Sequence, residues 1–253
     1  MSRDSRNGDA RARATTPHLA SLGRFRECSR AVACCALALW FALSSGLTQA
    51  GPGPLPVESN AYGRSYSLLS TDWVKWMIAT PAPSNPLLDE SGAFAAVGQS
   101  GKVWFLAGTF DTAPVTRSIA VPAGTPLFFP IVNEFWVNIP EAGDNPWSPA
   151  QEAFVRNFLG GIVDGVQGLA LAIDGQQITT FYRVSGPVGE CTLPDDNIFA
   201  VPVDAGPHEC LADGYWALLP PLSNGHHTLQ FAGSIPSLNF SLAVTYDITV
   251  RGR

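Results

Sequence analysis

Residues Gly98 to Asn133 read GQSGKVWFLAGTFDTAPVTRSIAVPAGTPLFFPIVN, and this stretch decides the fold class. It holds three apolar runs rich in β-branched and aromatic residues, and glycine and proline residues separate the runs. This composition is typical of short strands joined by turns. The predicted strands are Val103 to Leu106, Ile119 to Val121 and Leu127 to Phe129.

The chain after this stretch continues the β pattern. The pair Asp174-Gly175 separates two strand-like segments, Leu169 to Ile173 and Gln176 to Tyr182, and predicts a β-hairpin. In the last segment, Val244, Tyr246, Ile248 and Val250 alternate with polar residues, as in a strand with one buried face. Other strands are predicted at Ile198 to Val201, Tyr215 to Leu219, His226 to Ala232 and Phe240 to Val250.

Two short helices are predicted, the first with an indole-rich face. Trp73, Trp76 and Met77 are spaced i, i+3 and i+4, and Pro81 ends the run. Its start can be capped by Ser70, Thr71 or Asp72.

The second helix has a clear start signal. Ser148 is followed by Pro149 and Gln151, which is the pattern of an N-cap residue, a proline in the first turn and a polar third position. We expect this helix to end at Gly160-Gly161.

The counts of predicted elements favour a mostly β domain. Eight to ten short strands, only two helices and turn signals about every 8 to 12 residues predict an antiparallel β-sandwich of the jelly-roll type. We expect one domain over residues 61–253 and a flexible, Pro- and Gly-rich lead-in over residues 51–60. The segments Glu134 to Pro149 and Gly186 to Asp213 are expected to be irregular.

The first fifty residues have the pattern of a secretory signal peptide. Seven arginines precede or border the thirteen-residue apolar run Ala31 to Leu43, and small and polar residues follow up to Ala50. A membrane anchor is the alternative, but the unbroken apolar length is short of the roughly 20 residues that a spanning helix needs. We therefore expect cleavage after Ala50, a secreted or periplasmic protein and no membrane span after signal removal.

The net charge of the chain after the leader bears on the class of its binding partner. Without the leader, 8 basic residues face 18 acidic ones, which gives a net charge of −10. An acidic chain with no basic cluster is a poor nucleic-acid binder, so no nucleic-acid partner is expected.

Only Cys191 and Cys210 lie outside the leader, and they predict a disulfide. A thiol-based metal site is the alternative, but no cofactor or metal is expected.

The sequence contains no nucleophile elbow of the Gly-x-Ser-x-Gly type and no His-Glu-x-x-His motif. Paired carboxylates for glycoside cleavage are the remaining catalytic possibility, and Glu134 and Asp213 are the candidates. In the alternative interpretation, Glu134 is a loop carboxylate and Asp213 is a turn former.

Several longer motifs stand out along the chain: Trp73-x-x-Trp76, Gly98-Gln99-x-Gly101-x-Val103-Trp104-Phe105-Leu106-Ala107-Gly108, Val121-Pro122-Ala123-Gly124, Phe128-Phe129-Pro130-Ile131-x-Asn133, and Ala212-Asp213-Gly214-Tyr215-Trp216 with Leu219-Pro220-Pro221-Leu222. Together they resemble a family of secreted bacterial proteins that has no established function. The resemblance implies export and a single β-rich domain, and it implies no chemistry. One departure is that family members often carry cysteines near positions occupied here by Ala95 and Ile119.

Three functions remain open at this stage. The leading hypothesis is an exported, non-catalytic β-sandwich that binds a glycan or an envelope protein through surface aromatic residues. The alternatives are a carbohydrate-active hydrolase using Glu134 and Asp213, and a self-associating envelope component. The oligomeric state is left open. The candidate ligand-binding residues are Trp73, Trp76, Gln99, Trp104, Asn133, Trp136, Tyr215 and Trp216.

Overall fold

The computed structural model describes residues 53–199 and 203–252. The predicted signal peptide and its cleavage point after Ala50 lie outside the described residues. Within them, the chain forms ten strands and two α-helices, so the prediction of a mostly β domain with two helices is confirmed. Neither of these helices is long and apolar enough to cross a membrane.

The ten strands form two five-stranded sheets. Sheet A has the order β1-β3-β8-β6, and β7 also pairs with β8; sheet B has the order β2-β10-β9-β4-β5. The strands are β1 Trp104–Phe105, β2 Val115–Pro122, β3 Leu127–Val137, β4 Gln167–Ile173, β5 Gln176–Ile178, β6 Tyr182–Ser185, β7 Gly189–Leu193, β8 Gly206–Leu219, β9 Gly225–Ile235 and β10 Phe240–Arg251.

The expectation of purely antiparallel sheets is wrong, because two strand pairs are parallel. In sheet A, β1 pairs parallel to β3, and in sheet B, β2 pairs parallel to β10. The chain leaves sheet A after β1, contributes β2 to sheet B and returns as β3. A strand pair that is interrupted by such an excursion is not a hairpin, so its two members are free to run in the same direction.

The first helix, α1, spans Tyr66–Ala79 and begins earlier than the sequence suggested. Its N-cap is Ser65, whose hydroxyl accepts from the N–H of Leu68 at 3.3 Å. Ser70 and Thr71, which were expected to cap the helix, lie inside it, and their hydroxyls donate to backbone carbonyls instead. The helix packs against sheet A through nine buried residues.

The second helix, α2, spans Pro149–Val163. Its predicted cap is confirmed, because the Ser148 hydroxyl accepts from the N–H of Gln151 at 3.2 Å. The predicted end at Gly160-Gly161 is wrong, since the helix continues to Val163. Leu159 and Val163 are both buried, and this packing outweighs the low helix propensity of two glycines.

Three segments that were expected to be irregular are more ordered than predicted. β3 continues beyond Glu134 because Phe135 to Val137 pair with β8. The segment from Gly186 to Asp213 contains β7 and half of β8, whereas the described residues Ile198 and Phe199 form no strand. Within the lead-in, the N–H of Leu55 donates to the carbonyl of Leu218 at 2.8 Å, so residues 53–60 are anchored to the domain.

The two sheets share one hydrophobic cluster, and α1 builds a second. In the first cluster the ring of Phe129 on β3 stacks on Phe231 of β9, with centroids 5.2 Å apart. The second cluster lies on the opposite face of sheet A and includes Trp73 of α1 and Trp216 of β8. Sheet A is therefore covered on two faces, whereas β2 of sheet B alternates between buried and exposed residues.

The predicted disulfide is confirmed. Cys191 on β7 and Cys210 on β8 form a bridge with a Cα to Cα distance of 5.9 Å, and both residues are fully buried. A bridge that closes a loop of this size is worth about 3 kcal/mol on the chain-entropy model.

A buried arginine ties three parts of the domain together. Arg117 on β2 is 1% exposed. Its guanidinium donates to the carbonyls of Asp89 at 2.6 Å and Gly108 at 2.8 Å, and to the hydroxyl of Tyr246 at 2.9 Å. The Tyr246 hydroxyl in turn donates to the carbonyl of Ala107 at 2.8 Å. One side chain thus satisfies the carbonyls of two loops that would otherwise be buried without donors.

We expect Arg117→Met to lower the free energy of unfolding by about 3–5 kcal/mol, because it leaves several buried acceptors without a donor. Urea unfolding followed by tryptophan fluorescence measures this change. Arg64→Met is the matched control, since Arg64 forms a partly exposed pair with Asp72, and such pairs contribute about 1 kcal/mol or less. Equal losses in the two variants would contradict the structural role of Arg117.

Candidate functional site

The indole side chains that were expected on the surface are buried. Trp73, Trp76 and Trp216 are 1%, 7% and 0% exposed. Each indole N–H donates to a backbone carbonyl, for example Trp73 to Leu106 at 2.8 Å. Trp73 packs edge-on against both of the other rings. The hypothesis that these three residues form an exposed ligand-binding surface is therefore wrong.

Gln99 also has a structural role. Its amide donates to the carbonyls of Ala95 and Phe105 at 2.9 and 2.7 Å and accepts from the N–H of Phe105 at 2.9 Å. All of these partners are backbone groups, so the side chain holds the turn before β1 in place.

The remaining candidates, Trp104, Asn133, Trp136 and Tyr215, are half-buried. Asn133 lies directly against Gly214: a Cβ atom added to Gly214 would lie 2.5 Å from the Cβ of Asn133 and 2.7 Å from the carbonyl oxygen of Val132. Position 214 therefore has no room for a side chain. Among the described residues, the Trp104 Nε1, Asn133 Nδ2 and Trp136 Nε1 atoms are buried without a hydrogen-bond partner.

The structure brings the two candidate carboxylates together. Glu134 on β3 is the direct cross-strand partner of Asp213 on β8. Side chains of directly opposed residues lie on the same face of a sheet, with Cβ atoms about 4.5–5.5 Å apart. A β-bulge between Pro130 and Val132 sets this register.

Asp213 is held by an ion pair beneath α2. Its two carboxylate oxygens accept from Nε and Nη2 of Arg183 at 3.1 and 3.0 Å. The same guanidinium binds Asp164 and the carbonyl of Gly160, both in the last turns of α2. Hydrogen bonding to Asp213 raises the pKa of Arg183 above its ordinary value. Asp213 is thus engaged in fastening the helix to the sheet.

Glu134 has a different environment. Burial raises the pKa of its carboxyl group to about 7, and no described residue donates a hydrogen bond to it. Two residues further along β3, the ring of Trp136 packs edge-on against Phe154 and Phe158 of α2, at centroid distances of 6.3 and 5.7 Å. The two neighbouring carboxyl groups therefore differ: one is ion-paired and the other is desolvated.

The raised pKa of Glu134 predicts a pH-dependent stability. Between the unfolded pKa near 4.5 and the folded pKa of about 7, the folded state binds more protons than the unfolded state, so stability falls as pH rises through this window. We expect the free energy of unfolding of the wild type to fall by on the order of 2 kcal/mol between pH 5 and pH 8, and Glu134→Gln to abolish this fall. Urea unfolding at both pH values measures it.

Glu58→Gln provides the control, because Glu58 is exposed. This variant should retain the wild-type difference between the two pH values. An unchanged difference in Glu134→Gln would show that the Glu134 carboxyl is not desolvated in solution.

An open concavity lies elsewhere, on the outer face of sheet B. It is a groove of about 600 Å³ that crosses three neighbouring strands. The register places Asp247 of β10 between Ser118 of β2 and Thr228 of β9. Two residues further along β10, on the same face, Thr249 lies between Ala120 and His226. Arg251 follows at the end of β10. The groove is lined by Ser118, Ile119, Ala120, Asp174, His226, His227, Thr228, Asp247, Ile248, Thr249 and Arg251.

The groove presents a regular array of polar groups. Asp247 is exposed and receives no hydrogen bond from the described residues, whereas the hydroxyl of Thr249 contacts Nδ1 of His226 at 3.1 Å. Hydroxyl, imidazole, carboxylate and guanidinium groups together offer both donors and acceptors. The described residues contain no group of three or more His, Cys, Asp or Glu side chains placed to hold a metal ion.

Sequence reasoning missed this groove. The alternation of Val244, Tyr246, Ile248 and Val250 implied that Thr245, Asp247 and Thr249 share the other face of the strand. It gave no indication that β2 would lie beside β10, because this pairing joins residues more than 100 positions apart, such as Ser118 and Asp247.

The comparisons with known proteins add no functional information. No protein-family profile matches the chain, and no curated protein matches it. The structure of PbICP-C in complex with falcipain-2 is similar over 60% of this chain and 100% of that chain, with 12% sequence identity and a TM-score of 0.25. The solution structure of Amebosin is similar over 55% of this chain and 96% of that chain, with 10% identity and a TM-score of 0.16. At these TM-scores, neither likeness bears on the fold or the function.

Proposed function

We propose that this protein is an exported binding domain that recognises a glycan on the outer face of sheet B. The observation that carries the proposal is the groove of about 600 Å³ whose floor is formed by polar side chains in register on three strands. The export part of the proposal rests on the signal-peptide pattern of residues 1–50. We further infer that sheets A and B form the two layers of a β-sandwich, since they share one hydrophobic cluster.

The chemistry of the groove suits a ligand with many hydroxyl groups. Sugar hydroxyls both donate and accept hydrogen bonds. The hydroxyls of Ser118 and Thr228 can bond them in either role, and the carboxylate of Asp247 can bond them as an acceptor. Carboxylate acceptors make stronger hydrogen bonds than neutral ones. The central position of Asp247, together with its lack of a partner among described residues, makes it the main anchor of the site.

This proposal moves the binding site away from the aromatic residues that the sequence suggested. Trp73 and Trp76 of α1 and Trp216 of β8 are buried in the cluster between α1 and sheet A, where they stabilise the domain. The outer face of sheet B offers polar contacts in place of ring stacking, so we expect modest affinity that depends on several hydrogen bonds together.

Asp247→Ala should weaken glycan binding by about tenfold or more, because it removes charge-assisted hydrogen bonds. The measurement is a pull-down on immobilised insoluble polysaccharides and peptidoglycan, followed by isothermal titration calorimetry with soluble fragments of the retained polymer. Asp111→Ala is the control, because Asp111 is exposed outside the groove, and it should bind like the wild type.

Retention of the same polymer by Asp247→Ala and the wild type would place the glycan site elsewhere. Failure of the wild type to bind any polymer in the panel would remove the glycan proposal. Self-association remains a separate prediction, which sedimentation velocity would test.

A second candidate function is glycoside hydrolysis at Glu134 and Asp213. The observation in its favour is their direct cross-strand pairing, together with a pKa of about 7 for Glu134, which would let this carboxyl act as an acid. The ion pair with Arg183 and the position of α2 speak against it. A Cβ atom at Gly160 would lie 4.0 Å from Asp213 Oδ2, which leaves little room for a sugar ring.

The hydrolase candidate predicts that Glu134→Gln abolishes turnover of a glycan that the wild type cleaves, because the variant has no proton to give to the leaving group. Release of reducing ends from the same polysaccharide panel measures this. Equal reducing-end release by the wild type and Glu134→Gln, or none from either, would exclude this role.

A further inference from the structure

Three side chains from different segments converge at the end of sheet B. The Ser223 hydroxyl oxygen lies 3.2 Å from Nε2 of His227, and Nδ1 of His227 lies 2.8 Å from Oδ2 of Asp174. The other oxygen of Asp174, Oδ1, accepts from the N–H of Thr228 at 2.8 Å. A serine, an imidazole and a carboxylate are thus connected in the order of a nucleophile, a base and the group that orients the base.

The fold fixes this arrangement from two sides. Asp174 occupies the first position of the β4–β5 turn with φ of 50°, and its own N–H donates to the carbonyl of Thr228 at 2.8 Å. His227 is the third residue of β9, and Ser223 lies in the loop that precedes this strand. The imidazole is mostly buried, with 12% of its side-chain surface exposed, whereas Ser223 is exposed.

We propose that Ser223 is a nucleophile that is activated by His227 and that removes acyl groups from O-acylated glycans. A carboxylate can only accept a hydrogen bond, so Asp174 keeps the proton of a neutral ring on Nδ1. The lone pair on Nε2 is then directed at the Ser223 hydroxyl. Asp174 acts through His227 and is a positioning residue.

Nε2 of His227 has a second neighbour, the carbonyl oxygen of Ser223 at 2.9 Å. A carbonyl only accepts, so this contact is a hydrogen bond only when Nε2 carries a proton. The site therefore has two proton arrangements. When Nε2 is unprotonated, the ring accepts a hydrogen bond from the Ser223 hydroxyl. After Ser223 has attacked, Nε2 carries the proton and donates a hydrogen bond to the carbonyl oxygen of Ser223.

The surroundings of Ser223 suggest the substrate class. Asp174 and His227 lie at one end of the groove on sheet B. The His227 side chain is on the other face of the sheet, opposite the buried Ile248, whereas Ser223 is exposed in the loop before β9. A glycan that extends past this end of the groove would therefore meet the Ser223 hydroxyl. The backbone N–H of Asn224, directly after Ser223, is bonded to no described residue and is available to an oxyanion. A hydroxylated ligand with an ester on one hydroxyl satisfies both observations. This substrate assignment depends on the proposed glycan function.

The reaction conserves atoms and electrons. The Ser223 oxygen attacks the ester carbonyl carbon while its proton moves to Nε2 of His227. The tetrahedral intermediate collapses, the bond to the sugar oxygen breaks, and that oxygen takes the proton from Nε2. A water molecule then attacks the acyl-serine while its proton moves to Nε2 of His227. The bond between the acyl carbon and the Ser223 oxygen breaks, that oxygen takes the proton from Nε2, and the carboxylic acid leaves.

Labelling with a fluorophosphonate probe tests the nucleophile without any glycan. We expect the folded protein to form a covalent adduct at Ser223, which peptide mass spectrometry locates. We also expect it to hydrolyse p-nitrophenyl acetate. Ser223→Ala should abolish labelling, and His227→Gln should slow it by about 100-fold or more. Ser100→Ala is the control, because Ser100 is an exposed serine outside this cluster, and its labelling should match the wild type.

The role of Asp174 needs a spectroscopic measurement. In ¹⁵N NMR of the ring nitrogens, the neutral imidazole of His227 should carry its proton on Nδ1 in the wild type and on Nε2 in Asp174→Asn, and labelling of this variant should slow as well. An unchanged tautomer would overturn the positioning role. Absence of probe labelling at Ser223 in the folded wild type would overturn the nucleophile, whether or not the protein binds a polysaccharide. Labelling without polysaccharide binding would retain the nucleophile and remove the glycan as its substrate.

Discussion

The buried guanidinium of Arg117 is the polar contact on which the arrangement of the loops depends. It lies at an inward position of β2, where the alternation of the strand calls for an apolar residue. From there it reaches the carbonyls of Asp89, Ala107 and Gly108, and its carbon Cζ lies 5.5 Å from the centroid of the Tyr246 ring. A buried guanidinium of this kind is tolerated because its N–H groups donate to these three carbonyls and to the Tyr246 hydroxyl. The two loops and β10 are thereby fixed to one point.

The two sheets differ in what their side chains contact. Sheet A shares one hydrophobic cluster with sheet B and a second with α1, so its large aromatic residues stabilise the domain. The outer face of sheet B carries polar side chains and holds the groove. A covered face can supply burial energy, whereas only an uncovered face can meet a ligand. The division explains why the most conspicuous residues in the sequence, the tryptophans, have little part in the proposed site.

Sequence reasoning succeeded where the signal is local. Ser148 caps α2 as predicted, and the hairpin at Asp174-Gly175 forms, with φ values of 50° and 77° in the left-handed region. The disulfide followed from cysteine counting alone. These features depend on a few adjacent residues or on a single pairing, so the sequence contains the information that is needed.

Sequence reasoning failed where contacts between residues far apart in the sequence determine the structure. The exposure of Trp73 depends on whether α1 meets sheet A, and α2 continues past Gly160 because its last turn is buried. The pairing of Glu134 with Asp213 was not predictable, because a bulge in β3 sets the register. The cluster of Asp174, Ser223 and His227 brings Asp174 to His227, which is 53 positions away in the sequence, and no spacing motif connects them.

The bridge between Cys191 and Cys210 has a consequence for resistance to proteolysis. It encloses the connection between β7 and β8 in a covalent ring. A protease that cuts this connection would open the ring without separating the polypeptide, and each strand would keep its hydrogen bonds to the sheet. A cut within the ring therefore leaves the polypeptide in one covalent piece for as long as the disulfide stays oxidised.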